Sequence, residues 1–262
     1  MNKPAFDYQS GGPLNAYASN TYSQNGEDGV LAEIVKRLGL DAAETNWCVE
    51  FGAWDGKHLS NTFALVERGW KAVYIEGDKD RYQELLKTAK EFPNVVPVNA
   101  YVARNSIDGT SLDNLLKKTG IPVDFDLLSI DIDSYDCDVW ESLQDYVPKI
   151  VVIEINSSVP PGVIWRHSPK TPGNTFTATR NVGVHKGYTP VCHTGNLIFV
   201  RNDLLTLLEL EERYLDFPEL LFLYDSSWMS PELFQNEGRR KPFIMRFVPK
   251  PLRPALKTLF RR

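Results

Sequence analysis

Short apolar segments rich in β-branched residues alternate with segments of helical periodicity through the first two thirds of the chain. Each apolar segment has the length of one buried strand, and each intervening segment is long enough for a crossover helix. Strands that alternate with helices in this way predict a parallel, doubly wound α/β sheet. The predicted strands are NWCVEFGAW, KAVYIEGD, VVPVNAYVA, FDLLSIDID and KIVVIEINS.

A different pattern follows near residue 190, where GYTPVCHTGNLIFVRND reads as two strands around a tight turn. Strands that are adjacent in sequence pair antiparallel, and doubly wound sheets often carry such a pair at one edge. The expected fold is therefore α/β, with a mostly parallel seven-stranded sheet and an antiparallel edge pair.

Helix boundaries are also indicated. NGEDGVLAEIVKRLG has acidic residues in its first turn and Gly39 as its stop, and Asn25 and Asp28 are predicted to form a capping-box-like pair. In SNTFALVERGW, Ser60 is the predicted N-cap and Gly69 the terminator.

The bulk composition fits one large domain, because 262 residues with 42% hydrophobic content can bury a full core. The three cysteines, Cys48, Cys137 and Cys192, are widely spaced and form no CxxC pair, which favours a reducing compartment over a disulfide framework or zinc site. The N-terminus lacks the apolar core of a signal peptide, and no apolar run is long enough to span a bilayer. We expect a cytoplasmic protein, at most peripheral to the inner face of the membrane.

Charge is distributed unevenly along the chain. The net charge is −5, but residues 239–262 hold nine Lys and Arg and no acid, which leaves 20 basic against 34 acidic residues in the rest. An acidic body argues against nucleic acid as the substrate, because a nucleic-acid-binding face is basic. The expected organisation is one domain over residues 1–238, with an N-terminal arm at 1–22 and a candidate substrate lid at 157–181, followed by a basic tail.

Within that tail, PLRPALKTLFRR repeats apolar residues at helical spacing on one side and basic residues at intervals of four on another. This pattern is typical of a short basic helix that lies in a membrane interface and is attracted to anionic lipid. An amphipathic stripe packs equally well against its own domain or a second subunit. Peripheral membrane contact, packing on the acidic body and a homo-oligomer interface therefore all stay open.

The carboxyl ends of the strands are where ligands bind in a doubly wound sheet. The first strand ends in VEFGAWDGKH, whose spacing E-x-G-x-x-x-G differs from the dinucleotide pattern G-x-G-x-x-G. The second ends in Glu76, a carboxylate suited to a bidentate contact with two ribose hydroxyls. Acidic or polar residues also follow the fourth and fifth strands: Asp131, Asp133, Asp136, Asp138, Glu154 and Asn156.

Five motifs in order, SQNGEDG, FGAWDG, SNT, IEGD and SIDIDSYD, resemble the FkbM-type branch of the class I S-adenosylmethionine-dependent methyltransferases. VVIEIN and KGY…GNLIFVR continue the match, so the resemblance covers roughly residues 20–205. Ser134 stands where the family motif SIDIDGYD has Gly. The resemblance implies a Rossmann-like sheet, S-adenosylmethionine as cofactor and O-methylation of a sugar, within a bacterial surface glycan or a glycosylated metabolite.

The same resemblance assigns cofactor contacts. Gly52 would lie against the methionine part, Glu76 would hold the ribose, and Asn99 with Ala100 would flank the adenine. Gln24 and Asn61 would also reach the cofactor, although a capping or turn role for Gln24 fits the sequence equally well. The full expected cofactor-binding set is Gln24, Glu50, Gly52, Asp55, Asn61, Glu76, Asn99 and Ala100.

The aspartate cluster has a second resemblance. SIDIDSYDCDVWESL is similar to LDGDLYESTWDAL in the macrolide and aminocoumarin sugar O-methyltransferases, in which the first Asp and an acidic pair after the fifth strand bind a divalent metal. Carried across, the first Asp is Asp131 and the pair falls on Glu154 and Ile155, which cannot ligate, with Asn156 one residue further on. A cation such as Mg²⁺ held by Asp131, Glu154 and Asn156 would acidify the acceptor hydroxyl.

Without a metal, Asp131 or Asp133 is the candidate general base for an acceptor hydroxyl, which is a poor nucleophile until deprotonated. Asp136 and Asp138 read as first-turn acids of the following helix, where its dipole stabilises them. The four histidines, His58, His167, His185 and His193, are alternative bases, although a lone histidine is more often a surface or packed residue.

The lid segment SSVPPGVIWRHSPKTPGNTFTATR is long, polar and proline-rich, and long ordered loops in compact domains are usually functional. Its Arg166, Lys170 and Arg180 are candidates for holding an anionic or lipid-linked glycan acceptor. Two other functions stay open. One is a catalytically silent domain that binds the cofactor or scaffolds a glycan-assembly complex through its tail. The other is an NAD-binding oxidoreductase, which the E-x-G-x-x-x-G spacing disfavours.

Overall fold

One seven-stranded sheet forms the centre of the protein in the computed structural model, which describes residues 11–41 and 45–224. The strand order is β3-β2-β1-β4-β5-β7-β6. The first five strands pair in parallel, and β7 pairs antiparallel with both β5 and β6. The strands are β1 (Trp47–Phe51), β2 (Lys71–Glu76), β3 (Val95–Asn99), β4 (Leu127–Ile130), β5 (Ile150–Glu154), β6 (Tyr188–His193) and β7 (Asn196–Arg201).

This architecture confirms the fold expected from the sequence: a Rossmann-like, mostly parallel α/β sheet of seven strands, with the antiparallel pair at one edge. The alternation of short apolar strands and helices was sufficient to predict it, because each buried strand is a continuous hydrophobic run. The helices are α1 (Glu27–Arg37), α2 (Phe63–Val66), α3 (Lys79–Glu91), α4 (Leu112–Leu116), α5 (Asp136–Ser142), α6 (Phe176–His185) and α7 (Glu212–Asp216), with 3₁₀ helices at Pro13–Tyr17, Asn202–Leu208 and Pro218–Leu221.

None of the helices within the described ranges combines the length and apolar character required to cross a membrane. The predicted end of the domain at residue 238 and the basic tail at 239–262 lie outside the described residues.

Apolar side chains on the two faces of the sheet form its core, because successive strand residues point to opposite faces. On one face, buried Tyr74 and Val152 belong to the same hydrophobic cluster as Val30 of α1 and Phe63 of α2. On the other face, the Trp140 ring of α5 packs against the Phe199 ring of β7, with centroids 4.9 Å apart. The carboxyl ends of the strands, outside this apolar core, are therefore the place expected for a polar site.

The predicted capping box at the start of α1 is wrong. Gly26 is the N-cap residue, and the Asp28 carboxylate instead accepts hydrogen bonds from the backbone amides of Thr21, Tyr22 and Ser23. This buried carboxylate folds residues 21–23 back onto the helix, so its partners lie before the helix and not at its cap. The short α2 also begins later than expected, although the Ser60 hydroxyl still accepts a hydrogen bond from the amide of Phe63.

Two further boundaries differ from the expected ones. Helix α5 ends at Ser142 because the following amides, those of Gln144 and Asp145, donate to the carboxylate of Asp113. The expected lid at 157–181 is a loop only as far as Thr175, whose hydroxyl caps α6 by accepting from the Ala178 amide. We refer to residues 157–175 as the lid loop.

Candidate active site

Four neighbouring parallel strands end level with one another. Phe51 of β1 is in register with Ile75 of β2 and Ile130 of β4, and Ile130 is in register with Ile153 of β5. The next residue on each strand therefore lies at the carboxyl edge and on the opposite face from that apolar row. In sheet order, these residues are Glu76, Gly52, Asp131 and Glu154. The register thus brings three of the predicted site carboxylates into one row.

The antiparallel strand β7 extends this row by one residue. Asn196 is directly opposite Glu154 in the pairing of β5 with β7. Opposed residues project on the same face with Cβ atoms about 5 Å apart. Asn196 was not among the residues expected from the sequence, and it lies next to the end of the acidic row.

Three carboxylates at one end of the row form a cluster. Oxygens of Asp131, Asp133 and Glu154 all lie within 4.8 Å of one another. Asp133 has a φ of 56°, in the left-handed region that Asp tolerates better than most residues, and this conformation directs the loop back towards β5. In the part of the chain described, no lysine or arginine forms an ion pair with these three side chains.

Crowding of negative charge perturbs this acid cluster. Burial, followed by the charges of Asp136 and Asp133, raises the pKa of Asp131. Burial and the charge of Asp131 raise the pKa of Glu154. Two adjacent half-buried carboxylates repel each other when both are ionised. The pair therefore retains a proton at pH values above the usual titration range of carboxyl groups, unless a cation is present.

Asp136 shapes the loop that carries the cluster. Its carboxylate is 1% exposed and accepts hydrogen bonds from the amides of Ile132 (2.9 Å) and Ser134 (3.1 Å). Burial raises the pKa of this group to about 6. Both Asp136 and Asp138 lie in the first turn of α5, as the sequence predicted, but the Asp136 side chain is used to close the loop.

Asn156 is engaged elsewhere. Its Nδ2 donates to the carbonyl of Pro172 at 2.9 Å, and its Oδ1 accepts from the amide and hydroxyl of Ser158. The side-chain amide that was expected to be the third metal ligand is thus hydrogen-bonded to the lid loop. An oxygen of Asp133 lies within 4.8 Å of oxygens of Asp131 and Glu154, so Asp133 is a further candidate ligand.

Glu76 is buried and aligned by backbone groups at the end of β2. Its Oε2 accepts from the amide of Trp54 at 2.8 Å, and its Oε1 accepts from the amide of Asp78 at 2.7 Å. Trp54 adopts a φ of 47°, and its side chain is held by Glu84 (Nε1–Oε2, 2.8 Å) and by the guanidinium of Arg81 over its ring. The positive φ at Trp54 turns its amide towards Glu76, a role that sequence reasoning missed.

Asn99 and Ala100 lie where the sequence placed them, beside Glu76. The side-chain amide of Asn99 and the backbone amide of Ala100 both donate to the carbonyl oxygen of Glu76, at 2.8 and 3.1 Å. Tyr101 follows, with its ring over the backbone of Gly77 and 74% of its surface exposed. An exposed aromatic ring at the ends of β2 and β3 offers a face on which a planar base can stack.

Glu50, two residues before Gly52 on β1, forms a buried polar network with Asn61. The Glu50 carboxylate accepts from the hydroxyls of Ser60 (2.6 Å) and Thr62 and from the Asn61 amide, and burial raises its pKa. The Asn61 side chain donates to the Ser129 hydroxyl at 3.1 Å. These groups hold the start of α2 against β1 and β4, so they support the floor of the site.

The glycine motif after β1 is explained largely by packing within the chain. A Cβ at Gly52 would overlap the carbonyl oxygen of Asp131 on the adjacent strand, and a Cβ at Gly56 would lie 2.9 Å from the ring of Tyr74. Between them, the Asp55 carboxylate accepts from the amides of Lys57 and His58 and closes a turn. The motif therefore shapes a tight loop at the site, and its cofactor contacts stay a prediction.

The start of α1 lies close to one end of the row, because Glu27 contacts Asn196. Gln24 is exposed, and its backbone carbonyl oxygen accepts from the Asn20 side chain at 2.9 Å. Glu27, which sequence reasoning missed, is fully buried and accepts from the Thr194 hydroxyl (2.8 Å) and the Asn196 amide (3.0 Å). Its charge also contributes to the raised pKa of Asp131. Glu27 thus connects the start of α1 to the end of the acidic row.

His193 has a structural role. Its ring is fully buried and stacks on Phe222, with centroids 4.5 Å apart. Its Nδ1 accepts from the Leu223 amide, and its Nε2 lies 2.9 Å from the Ser157 hydroxyl, which itself donates to the carbonyl of Gly195. Burial lowers the pKa of His193 to about 3, so the ring is neutral and cross-links the lid loop to β6.

Two of the basic residues expected to hold an acceptor are already paired. Arg166 contacts Glu141 at 2.8 Å, and Arg180 contacts Glu219. Lys170 is exposed on the lid loop. The Arg166–Glu141 contact uses Nη1 only, and Nη2 of Arg166 has no hydrogen-bond partner among the described residues. A role for these cations in binding an anionic ligand stays a prediction.

Comparison with known proteins gives matches among solved structures only. No family model matches the chain, and no curated protein matches it. Sp1610 from Streptococcus pneumoniae is 15% identical, with 86% of this chain and 93% of that chain covered and a TM-score of 0.44. TrmK from M. capricolum, solved with S-adenosylhomocysteine, is 14% identical over 80% and 90%, with a TM-score of 0.44.

The N-terminal domain of EvdMO1, crystallised in the presence of S-adenosylhomocysteine and D-fucose, is 16% identical over 71% of this chain and 85% of that chain, with a TM-score of 0.40. All three TM-scores are below 0.5, so these are distant likenesses. The fold assignment rests on the order and direction of the strands.

Proposed function

We propose that the protein is an S-adenosylmethionine-dependent O-methyltransferase that acts on a sugar hydroxyl, in the synthesis of a bacterial surface glycan or a glycosylated metabolite. The observation that carries the proposal is the row Glu76, Gly52, Asp131 and Glu154 at one edge of the sheet. The row combines a carboxylate suited to a ribose with acids suited to activating a hydroxyl.

The spacing within the row supports this division of roles. Adjacent strands are about 4.8 Å apart, so Glu76 and Asp131, which are separated by β1, lie on strands about 10 Å apart. Gly52 stands between them and has no side chain to obstruct a ligand that reaches from one to the other. A nucleoside with its reactive group a few bonds from the ribose fits this arrangement.

The residues around Glu76 fit the cofactor. Each carboxylate oxygen of Glu76 accepts one backbone N–H, which orients the carboxylate. Each oxygen therefore retains a lone pair for one of the two ribose hydroxyls. Tyr101 and the end of β3 would flank the adenine. The methionine part would lie along the loop after Gly52, towards the acids. When bound, S-adenosylmethionine supplies an electrophilic methyl group.

Asp131 is the group best placed to take the proton of an acceptor hydroxyl. It is half-buried at the end of the row, and its raised pKa makes it a better base than an exposed carboxylate. Glu154 is beside it and, with its own raised pKa, holds a proton that the pair can share. Asp133, exposed at the tip of the loop, lies on the side from which an acceptor would enter.

A divalent cation is a further element of the proposal. Three carboxylates with oxygens within 4.8 Å of one another form the hard oxygen donor set that Mg²⁺ and Mn²⁺ prefer. Asp131, Asp133 and Glu154 would hold the ion, and its charge would offset their mutual repulsion. Such an ion lowers the pKa of a bound hydroxyl and orients it.

The alternative is a catalytically silent domain that binds the cofactor or serves as a scaffold for glycan assembly. An NAD-binding oxidoreductase is a weaker candidate, because the loop after β1 has the spacing E-x-G-x-x-x-G. Titration calorimetry with S-adenosylhomocysteine and with NAD separates these classes. Binding of S-adenosylhomocysteine alone supports the proposal, and binding of NAD alone overturns it. Transfer of a labelled methyl group to a panel of sugars and glycans then separates an enzyme from a silent domain.

A further inference from the structure

A second surface lies beside the acid cluster, centred on the half-buried Tyr135, two residues after Asp133. The guanidinium of Arg104 lies over the Tyr135 ring, 4.6 Å from its centroid. The His167 ring meets it edge-on, with centroids 4.8 Å apart. We call Arg104, Tyr135 and His167 the Tyr135 platform. It joins three segments at the mouth of the site: the loop after β3, the loop after β4 and the lid loop.

One buried side chain fixes two of these segments to each other. Asn174 is fully buried, its Oδ1 accepts from the His167 amide at 3.1 Å, and its Nδ2 donates to the Ser134 carbonyl at 3.2 Å. These two hydrogen bonds connect the backbone of His167 to that of Ser134, the residue before Tyr135. The third segment is ordered as well, because the Asn105 side chain accepts from the amides of Ile107 and Asp108 just after Arg104.

Arg104 differs from the arginines of the lid region. It is exposed, and within residues 11–41 and 45–224 it forms no ion pair, whereas Arg166 and Arg180 both do. A guanidinium that lies on an aromatic ring keeps its N–H groups available for a carboxylate or phosphate, which it binds with two parallel hydrogen bonds. Elsewhere at the site mouth, the acid cluster repels anions.

We propose that the Tyr135 platform is an acceptor subsite that binds a carboxylate or phosphate group on the sugar, next to the hydroxyl that is methylated. This inference rests on the proposed function and adds the substrate class, an acidic sugar. Arg104 binds the anionic group, and Tyr135 and His167 contact the sugar ring. Because Tyr135 belongs to the same loop as Asp133, a sugar held on the platform has its neighbouring hydroxyl directed towards the acids.

The test measures the binding of three sugars by NMR titration of the full chain saturated with S-adenosylhomocysteine. The probes are glucuronate, glucose 6-phosphate and the neutral control glucose. We expect at least one charged sugar to bind about tenfold more tightly than glucose, which corresponds to one charge-assisted contact. A preference for glucuronate alone identifies a carboxylate as the group recognised, and a preference for glucose 6-phosphate alone identifies a phosphate.

Variants connect the preference to the platform. Arg104→Gln should abolish it, Tyr135→Leu should weaken it, and Tyr135→Phe should retain it because the ring remains. Arg68→Gln is the matched control, since Arg68 is exposed and precedes β2 at the opposite edge of the sheet. Equal affinity for charged and neutral sugars, or a preference that survives Arg104→Gln, overturns the inference. Failure to bind S-adenosylhomocysteine instead overturns the proposed function, and the sugar titrations without it still report on the platform.

Discussion

Glu27 and Asn196, 169 positions apart, are joined by a hydrogen bond of 3.0 Å from the Asn196 amide to the Glu27 carboxylate. Since Asn196 lies opposite Glu154, this bond fixes the orientation of the residue next to the acid cluster. The start of α1 is thereby connected to the end of the acidic row through a single side-chain amide.

The first prediction concerns this link. Glu27 accepts from the Asn25 amide, the Thr194 hydroxyl and the Asn196 amide in a fully buried place. Because these donors use both carboxylate oxygens, Glu27→Gln puts an NH₂ group against at least one of them and should lower the free energy of unfolding by about 1–3 kcal/mol. Urea denaturation measures the change. Glu91→Gln, at an exposed salt bridge with Lys57, is the control and should change stability by less than about 1 kcal/mol. Equal stability of the Glu27 variant and wild type would show that the link contributes nothing.

The second prediction concerns the ribose. Glu76→Ala should weaken S-adenosylhomocysteine binding by about 1.5–3 kcal/mol, the contribution of a charge-assisted hydrogen bond. Glu76 also holds the amides of Trp54 and Asp78, so a denaturation curve must accompany the calorimetry. Glu84→Gln is the matched control, because it alters the contact with the Trp54 side chain and leaves Glu76 in place. Unchanged affinity in a folded Glu76→Ala protein would remove this residue from the cofactor site.

The third prediction concerns the acid cluster. Asp131→Asn should reduce methyl transfer by at least about 100-fold, whether Asp131 acts as a base or as a ligand. Asp138→Asn, in the first turn of α5, should leave the rate nearly unchanged. The assay is transfer of labelled methyl from S-adenosylmethionine to an acceptor found in the sugar panel.

The requirement for metal is tested separately. Mn²⁺ binding, followed by electron paramagnetic resonance, should be lost in Asp133→Asn, which retains a residue that tolerates the positive φ at this position. If EDTA leaves the wild-type rate intact and Mn²⁺ does not bind, the metal part of the proposal is wrong and a carboxylate base remains.

The fourth prediction is a pH dependence of stability. Burial lowers the pKa of His193 from 6.5 to about 3, so between these values the unfolded chain binds a proton that the folded chain does not. His193 therefore contributes stability that is present above pH 6.5 and is lost as the pH falls towards 3.

We expect His193→Phe to be less stable at pH 7, because Ser157 and Leu223 lose a partner, but to lose less stability between pH 7 and pH 5 than wild type. Thermal denaturation at both pH values measures this difference, with His185→Asn, at an exposed position on α6, as control. An unchanged pH slope in His193→Phe would contradict the assignment of a neutral, buried ring.

Several features of the fold and site were predictable because they depend on local pattern. Buried parallel strands are continuous apolar runs, so their ends can be located, and with them Glu76, Asp131 and Glu154. The position of Asp133 beside Asp131 and Glu154 was not predictable, and neither were the hydrogen bonds of Asn156. The first depends on a positive φ at Asp133, and the second on Pro172 and Ser158 of the lid loop.

Long-range pairings were the other part that the sequence did not reveal. The role of Glu27 requires knowing that β7 runs antiparallel beside β5 and brings Asn196 to the site. The pairing of Arg166 with Glu141 and of Arg180 with Glu219 likewise depends on how the lid loop and α6 pack. Whether a cation can bind a ligand depends on its neighbours in space. Counting charges along the chain does not reveal these neighbours.

Gly52 has an evolutionary consequence. The carbonyl of Asp131 on the neighbouring strand excludes any larger residue at position 52, whether or not a ligand is ever bound. A descendant that lost catalysis would still have to retain this glycine in order to fold. Selection on Gly52 therefore reports on the architecture of the sheet, whereas under the proposed function it is the retention of Glu76 and Asp131 that would distinguish working enzymes from silent relatives.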